Sequence, residues 1–310
     1  MPNFPARATH AAPILMAAFD HAAEFHEAAS GGLSEPGQSV AQTTRAKELV
    51  FEGIRQAVDA GVPREHAAVL LDDKYAQGLM SRAREAGIAF SIPVDSPTGH
   101  VVLQPGWQDI LLRNQPDWAK PLLFLNVEGD AIDNHRQLES TLVLQRWLQE
   151  HGGQLLVEIL IPPEPAQLDR VGGDLSRYRL ELIPDLVVAA MESVQQAGIR
   201  PNLWKVEAAA SVDGARKIGQ AAVASGVDCL ILGSGESLET VGDWLAVGKT
   251  IPGYRGFAVG RTIWQEPVET WAHDKDDEQL RSEVARRYTY LATAFTRETE
   301  DMSAHVQEPA

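Results

Sequence analysis

The chain is poor in cysteine, in aromatic residues and in positive charge. A single cysteine, Cys229, stands among 310 residues, so no internal disulfide can form and a structural zinc site built on thiolates is not expected. Lysine and arginine number 27 against 43 aspartates and glutamates, a net charge of −16. Nucleic-acid binding draws most of its energy from basic patches on phosphate, so neither DNA nor RNA is expected as a partner, and anionic membrane surfaces are disfavoured too. No apolar run approaches the ~18 residues that span a bilayer. The opening "MPNFPARATHAAPILMAAFD" lacks the basic end, long apolar centre and small-residue cleavage site of a secretory signal. A soluble, cytoplasmic protein is the expectation. Nucleotide signatures are missing as well: "AAFD" is followed by "HAAEFHEAAS" rather than a glycine-rich fingerprint, and there is no P-loop.

What the chain does have is alternation. Short apolar runs at 13–20, 67–73, 88–95, 121–128, 154–160, 203–207, 228–233 and 256–261 read as strands. Stretches with apolar residues at helical spacing separate them, among them "RAKELVFEGIRQAVDAG" and "HRQLESTLVLQRWLQEHGG". Gly61, Gly87, Gly152, Gly198 and Gly226 stand where helix C-caps belong. Eight strands, each followed by a helix, predict an α/β chain closing as a single (β/α)8 barrel over residues 1–298, with 299–310 as a disordered acidic tail. Two long connections, 30–44 and 96–117, are candidates for functional lids.

Catalytic groups of such barrels project from strand ends at the C-terminal face. Asp20, Asp72, Asp73, Glu128 and Asp130 end strand runs, and Arg261 ends the last. Two charges interrupt strands: Glu158 in "LLVEIL" and Lys205 in "NLWKVEAA". Period-two alternation puts Leu156, Glu158 and Leu160 on one face, and Leu203, Lys205 and Glu207 on one face of the next strand. Glu158 and Lys205 then form either a satisfied buried ion pair or a reactive one. In the reactive case a low-dielectric site depresses the lysine pKa, the amine attacks a carbonyl to form a Schiff base, and the carboxylate carries protons for carbinolamine dehydration and C–C cleavage. That chemistry needs no metal and no cofactor. The small residues of "LGSGES", with Gly233, Ser234 and Gly235 before a helix, together with Gly260 and Arg261, form a candidate anion site. His21 and His26 follow Asp20, but their spacing does not by itself predict a metal centre.

In order, "AAFDHAAEF", "LLDDKY", "KPLLFLNVEGD", "LLVEIL", "LWKVE" and "GFAVGRTIW" resemble the class I, Schiff-base aldolases of the tagatose-1,6-bisphosphate type. They are closer still to the aldolase-like domain of myo-inositol catabolism thought to act on 2-deoxy-5-keto-gluconate 6-phosphate. The likeness runs over about 13–272. It implies Lys205 as the Schiff-base lysine, Glu158 as the proton-handling carboxylate, Asp20 as the aspartate that contacts substrate hydroxyls or the carbinolamine, and Lys120 as the helper lysine of the fourth strand, here at its start; His21, where the tagatose type has glutamine, is a candidate substrate- or phosphate-binding residue. It places phosphate on Gly260 and Arg261 with Gly233, Ser234 and Gly235. Ala22 departs from the pattern, standing where the inositol-type domain carries an arginine. The expectation is a metal-independent aldolase taking a small anionic sugar phosphate. A non-catalytic sugar-phosphate-sensing barrel, or a lysine-dependent isomerase or other lyase, remains the alternative, and the oligomeric state is left open, a homo-oligomer included.

Overall fold

The computed structural model describes residue 4 and residues 12–20, 22–31, 36–95 and 103–297. His21, the 96–102 part of the second long connection and the acidic end therefore lie outside the described residues. Strands β1 (Ile14–Ala18), β2 (Ala67–Leu70), β3 (Ala89–Pro93), β4 (Trp118–Lys120), β5 (Leu122–Phe124), β6 (Leu156–Leu160), β7 (Leu203–Glu207), β8 (Cys229–Leu232) and β9 (Tyr254–Val259) alternate with helices. The helices are α1 (Ala22–Ser30), α2 (Pro36–Asp59), α3 (Gln77–Glu85), α4 (Trp107–Asn114), α5 (Ala131–His151), α6 (Pro165–Arg170), α7 (Leu175–Arg177), α8 (Ile183–Gln196), α9 (Val212–Ser225), α10 (Leu238–Gly248), α11 (Arg261–Asp274) and α12 (Asp277–Thr296). A wider, π-type turn over Tyr178–Leu182 joins α7 to α8.

The strands are parallel and lie in the order β4-β3-β2-β1-β9-β8-β7-β6-β5. Its two edges, β4 and β5, are consecutive in sequence and separated only by Pro121. A proline has no N–H for a ladder and so splits a strand. Where one fourth strand was expected over 121–128, two short pieces stand at 118–120 and 122–124, the first paired with β3 and the second with β6. The Ala119 N–H donates to Gln154 O at 2.9 Å and the Glu158 N–H to Pro121 O at 3.0 Å, so the seam is stitched and the barrel nearly closed. Asp72 and Asp73 fall in the turn after β2 rather than on the strand, and Glu128 and Asp130 stand in the β5–α5 turn, where Asp130 caps α5.

Of the first long connection, 36–44 are helical, and 32–35 lie outside the described residues. Proline fits the first turn of a helix, and α2 starts at Pro36, so 36–44, which composition alone reads as loop, are the first turns of a 24-residue helix that continues through the expected helical stretch after them. Its middle touches α12 so closely that a Cβ on Gly53 would sit 2.7 Å from Arg281 O and 2.9 Å from Val284 Cβ. Gly152 and Gly226 end α5 and α9 with φ of 75° and 68°, the left-handed caps expected of them.

Two large apolar clusters fill the space between the sheet and the helices. A third, smaller one fills the barrel itself, with Met16, Leu70, Leu156, Leu203 and Leu230 among its members. The strand pairing sets Leu156 beside Leu203 and Glu158 beside Lys205. Charge therefore begins one layer above the apolar floor.

Candidate active site

Four charged side chains meet in that layer. Lys205 Nζ is 2.7 Å from Glu158 Oε1, and Lys120 Nζ is 2.8 Å from Glu158 Oε2 and 3.0 Å from Asp20 Oδ2. Lys205 is 1% exposed and Glu158 2%. Such burial is tolerable for charges only when they are paired. Lys120 was expected at the beginning of its strand, but the Pro121 break makes it the last residue of β4, aimed into the barrel from the seam. Asp95, just past β3, is a fifth member: its Oδ1 lies 3.8 Å from Lys120 Nζ and accepts the Leu122 N–H at 3.1 Å.

The electrostatics follow from this crowding. Burial pushes the Asp95 carboxyl up to about 6, against the pull of Lys120 and with the push of Asp20 and Glu158. Burial alone would lower Lys120, yet Asp20, Asp95 and Glu158 together hold it well above the ordinary lysine value, so it stays an ammonium. Asp20 is positioned from behind. Trp264 Nε1 donates to Ala18 O at 2.9 Å, and the ammonium of the fully buried Lys47 bonds both Phe19 O and the Asp72 carboxylate. Asp72 in turn accepts the Lys74 and Tyr75 N–H groups, and Lys47 rests 4.5 Å from the Phe25 ring centre.

Above the charged layer opens a cavity of about 290 Å³, lined by Glu158 and Lys205 and, across from them, by Gly233, Ser234, Gly235, Gly260 and Arg261. Ser234 and Gly235 turn consecutively left-handed, with φ of 53° and 76°. A Cβ on Gly235 would lie 3.0 Å from Arg261 Cζ, so glycine, favoured there by its φ, lets the main chain lie against this guanidinium without displacing it. Thr262 Oγ1 donates to Glu236 O at 2.8 Å, tying the turn to the start of α11. Arg179, from the π-type turn, pairs with Glu236 at the cavity rim. Three cations, Lys205, Arg179 and Arg261, and two carboxylates, Glu158 and Glu207, line the cavity, a small positive excess in the wall of a strongly acidic protein.

The arrangement brings together Lys205, Glu158, Lys120 and Asp20, and sets the glycine–serine turn and Arg261 on the same cavity. His21 is outside the described residues. Sequence reasoning passed over Asp95 although it ends its run as Asp20 does, a signal that was available. It also missed Arg179, which no strand pattern marks, and Lys47, hidden in a helical repeat. Among the described residues, no three His, Cys, Asp or Glu side chains are grouped to hold a metal ion, and no helix is long and apolar enough to cross a membrane.

A family profile described as an uncharacterized protein conserved in bacteria, DUF2090, matches residues 4–299. The chain belongs to the DUF2090 family. No curated protein matches it by sequence. Among solved structures, this DUF2090 chain is similar to Cgl0159 of Corynebacterium glutamicum, at 16% identity and a TM-score of 0.56, covering 91% of this chain and 85% of that one. Fructose-bisphosphate aldolase of Plasmodium falciparum follows at 14% identity and a TM-score of 0.53, with 93% and 98% covered. The YdjI aldolase of Escherichia coli K12 is similar at 12% identity and a TM-score of 0.52, with 80% and 87% covered. At such identities the likeness is one of fold: this chain shares a parallel α/β barrel with these proteins.

Proposed function

We propose that this DUF2090 protein is a Schiff-base aldolase that cleaves or forms a C–C bond in a phosphorylated or similarly anionic ketose, such as 2-deoxy-5-keto-gluconate 6-phosphate. The observation that carries the reading is the contact of Lys205 Nζ with Glu158 Oε1 at 2.7 Å on the floor of an open cavity. A lysine with only a structural task has no need to face a solvent-accessible pocket. The aldolase fold shared with two of the similar structures supports the reading without specifying the substrate.

Lys205 gives a proton to Glu158, and its amine adds to the substrate carbonyl. Glu158 returns that proton to the carbinolamine oxygen and then relays a second one from the nitrogen to the same oxygen as water leaves, forming the iminium. Lys120, permanently cationic, keeps Glu158 and Asp20 in place and contributes positive potential where oxygen charge develops. Asp20 reaches substrate hydroxyls. The anionic end of the sugar rests on Gly233, Ser234, Gly235, Gly260 and Arg261.

Borohydride reduction in the presence of dihydroxyacetone phosphate tests the proposal. A stable mass increase on Lys205, lost in Lys205→Ala, is the expected result. A wild-type protein that binds the ketone phosphate but takes up no label would sink the aldolase and leave the sugar-phosphate-sensing barrel.

A further inference from the structure

Resting on the Schiff-base reading, we propose that Glu207, not Glu158, moves the proton of the carbon–carbon step. Both oxygens of Glu158 are engaged by ammonium groups, Oε1 by Lys205 and Oε2 by Lys120. A substrate hydroxyl approaching Glu158 would have to displace a buried ion pair. That placement suits proton exchange with the Lys205 nitrogen and is poor for a carbon two bonds further along the substrate.

Glu207 is placed for the farther position. Leu203, Lys205 and Glu207 share the inward face of β7, so Glu207 sits one inward position above Lys205 toward the mouth, and it lines the same cavity. Its pairing partner on β8 is Leu232, the residue immediately before the Gly233–Gly235 turn. A substrate joined to Lys205 and anchored at that turn must therefore pass Glu207. The Ile161 N–H donates to Glu207 Oε2 at 2.7 Å and orients the carboxyl. The groups around it are Lys205 and Glu158 on the barrel floor, Tyr178 and Arg179 from the π-type turn, and Arg261 across the cavity, while Leu232 beside it is apolar. Burial pushes the Glu207 carboxyl up to about 6, with the Ile161 N–H and Arg179 pulling it down and Glu158 pushing it up. It can thus release and take up a proton near neutral pH, as a general acid–base must.

The step balances without a co-reactant. The carboxylate of Glu207 takes the proton of the β-hydroxyl, whose oxygen becomes the carbonyl of the departing aldehyde. The C–C bond breaks and its electron pair moves to the iminium nitrogen, leaving an enamine on Lys205. The carboxyl then returns the proton to the enamine carbon, and water releases the ketone.

Dihydroxyacetone phosphate alone reports the two halves separately: borohydride labelling measures the iminium, and exchange of its α-hydrogen in deuterated water measures the proton carrier. Glu207→Gln keeps an oxygen to accept the Ile161 N–H. It should label Lys205 within about two-fold of wild type while exchange slows by about 100-fold, and the wild-type fall in exchange below a pH of about 6 should vanish. Glu207→Asp, which retains a carboxyl, should recover part of the rate. Exchange at the wild-type rate in a labelled Glu207→Gln protein would overturn the assignment. Equal loss of label and exchange would also overturn it, moving Glu207 to iminium formation or to a structural role. A wild-type protein that never labels would overturn the Schiff-base reading, and this assignment with it.

Discussion

Replacing Lys120 by methionine removes one ammonium from among Asp20, Asp95 and Glu158 while nearly preserving side-chain volume. Three carboxylates then face one another inside the barrel, with Lys205 as the counter-charge bonded to them among the described residues. Removing one partner of a buried ion pair costs about 3–5 kcal/mol, and that is the loss expected at pH 7.5. The pH dependence has a definite sign. The Asp95 carboxyl, raised in the folded chain from 3.8 to about 6, binds protons more tightly folded than unfolded. Its contribution to stability is therefore greatest in acid and is lost as pH rises through about 6. Without Lys120 one of the influences holding it down disappears, so the loss extends to higher pH. The penalty of Lys120→Met should accordingly shrink from pH 7.5 to pH 5.5, and a second substitution, Asp95→Asn, should recover about 1–3 kcal/mol of it. Guanidinium denaturation followed by circular dichroism at the two pH values measures both. A penalty under about 1 kcal/mol at pH 7.5, or one that grows toward acid, would refute the placement of Lys120 amid these carboxylates.

Two further outcomes follow from other parts of the site and scaffold. Arg261→Ala removes charge-assisted hydrogen bonding worth about 1.5–3 kcal/mol, so the KM for a ketose phosphate should rise about 10- to 100-fold with little change in iminium labelling at saturation. Equal KM values would remove Arg261 from anion binding. Gly53→Ala drives a methyl group into the main chain of α12 at 2.7 Å, and the overpacking should lower stability by about 1–3 kcal/mol. Unaltered denaturation midpoints would mean that α2 and α12 cross less closely than described.

Much of the site was legible because strand periodicity is a local property. Once Glu158 and Lys205 are recognised as charges inside apolar runs, a period of two puts each on a definite face, and adjacent parallel strands in register bring them together. The glycine–serine turn and Arg261 were legible for a similar reason, as small residues and a cation at the ends of the last two strands. The limits of the fourth strand were less so. A run of apolar residues after Pro121 looks like one strand, whereas the missing N–H makes the strand break where the barrel must close. The polar composition of 36–44 hides the first turns of a helix whose later part packs on α12.

The sequence by itself determined the alternation of strand and helix, and with it the barrel and the inward faces of Glu158 and Lys205, because both periods are written in neighbouring residues. Tertiary structure decided which distant charges share that interior. Closure at the Pro121 seam carries Lys120 to within 3.0 Å of Asp20, 100 positions away in the chain, and brings Asp95 alongside. Arg179, from the π-type turn, comes to the rim of the same cavity. None of these neighbours is encoded by local spacing; they meet because a closed parallel sheet brings the ends of all its strands around one axis.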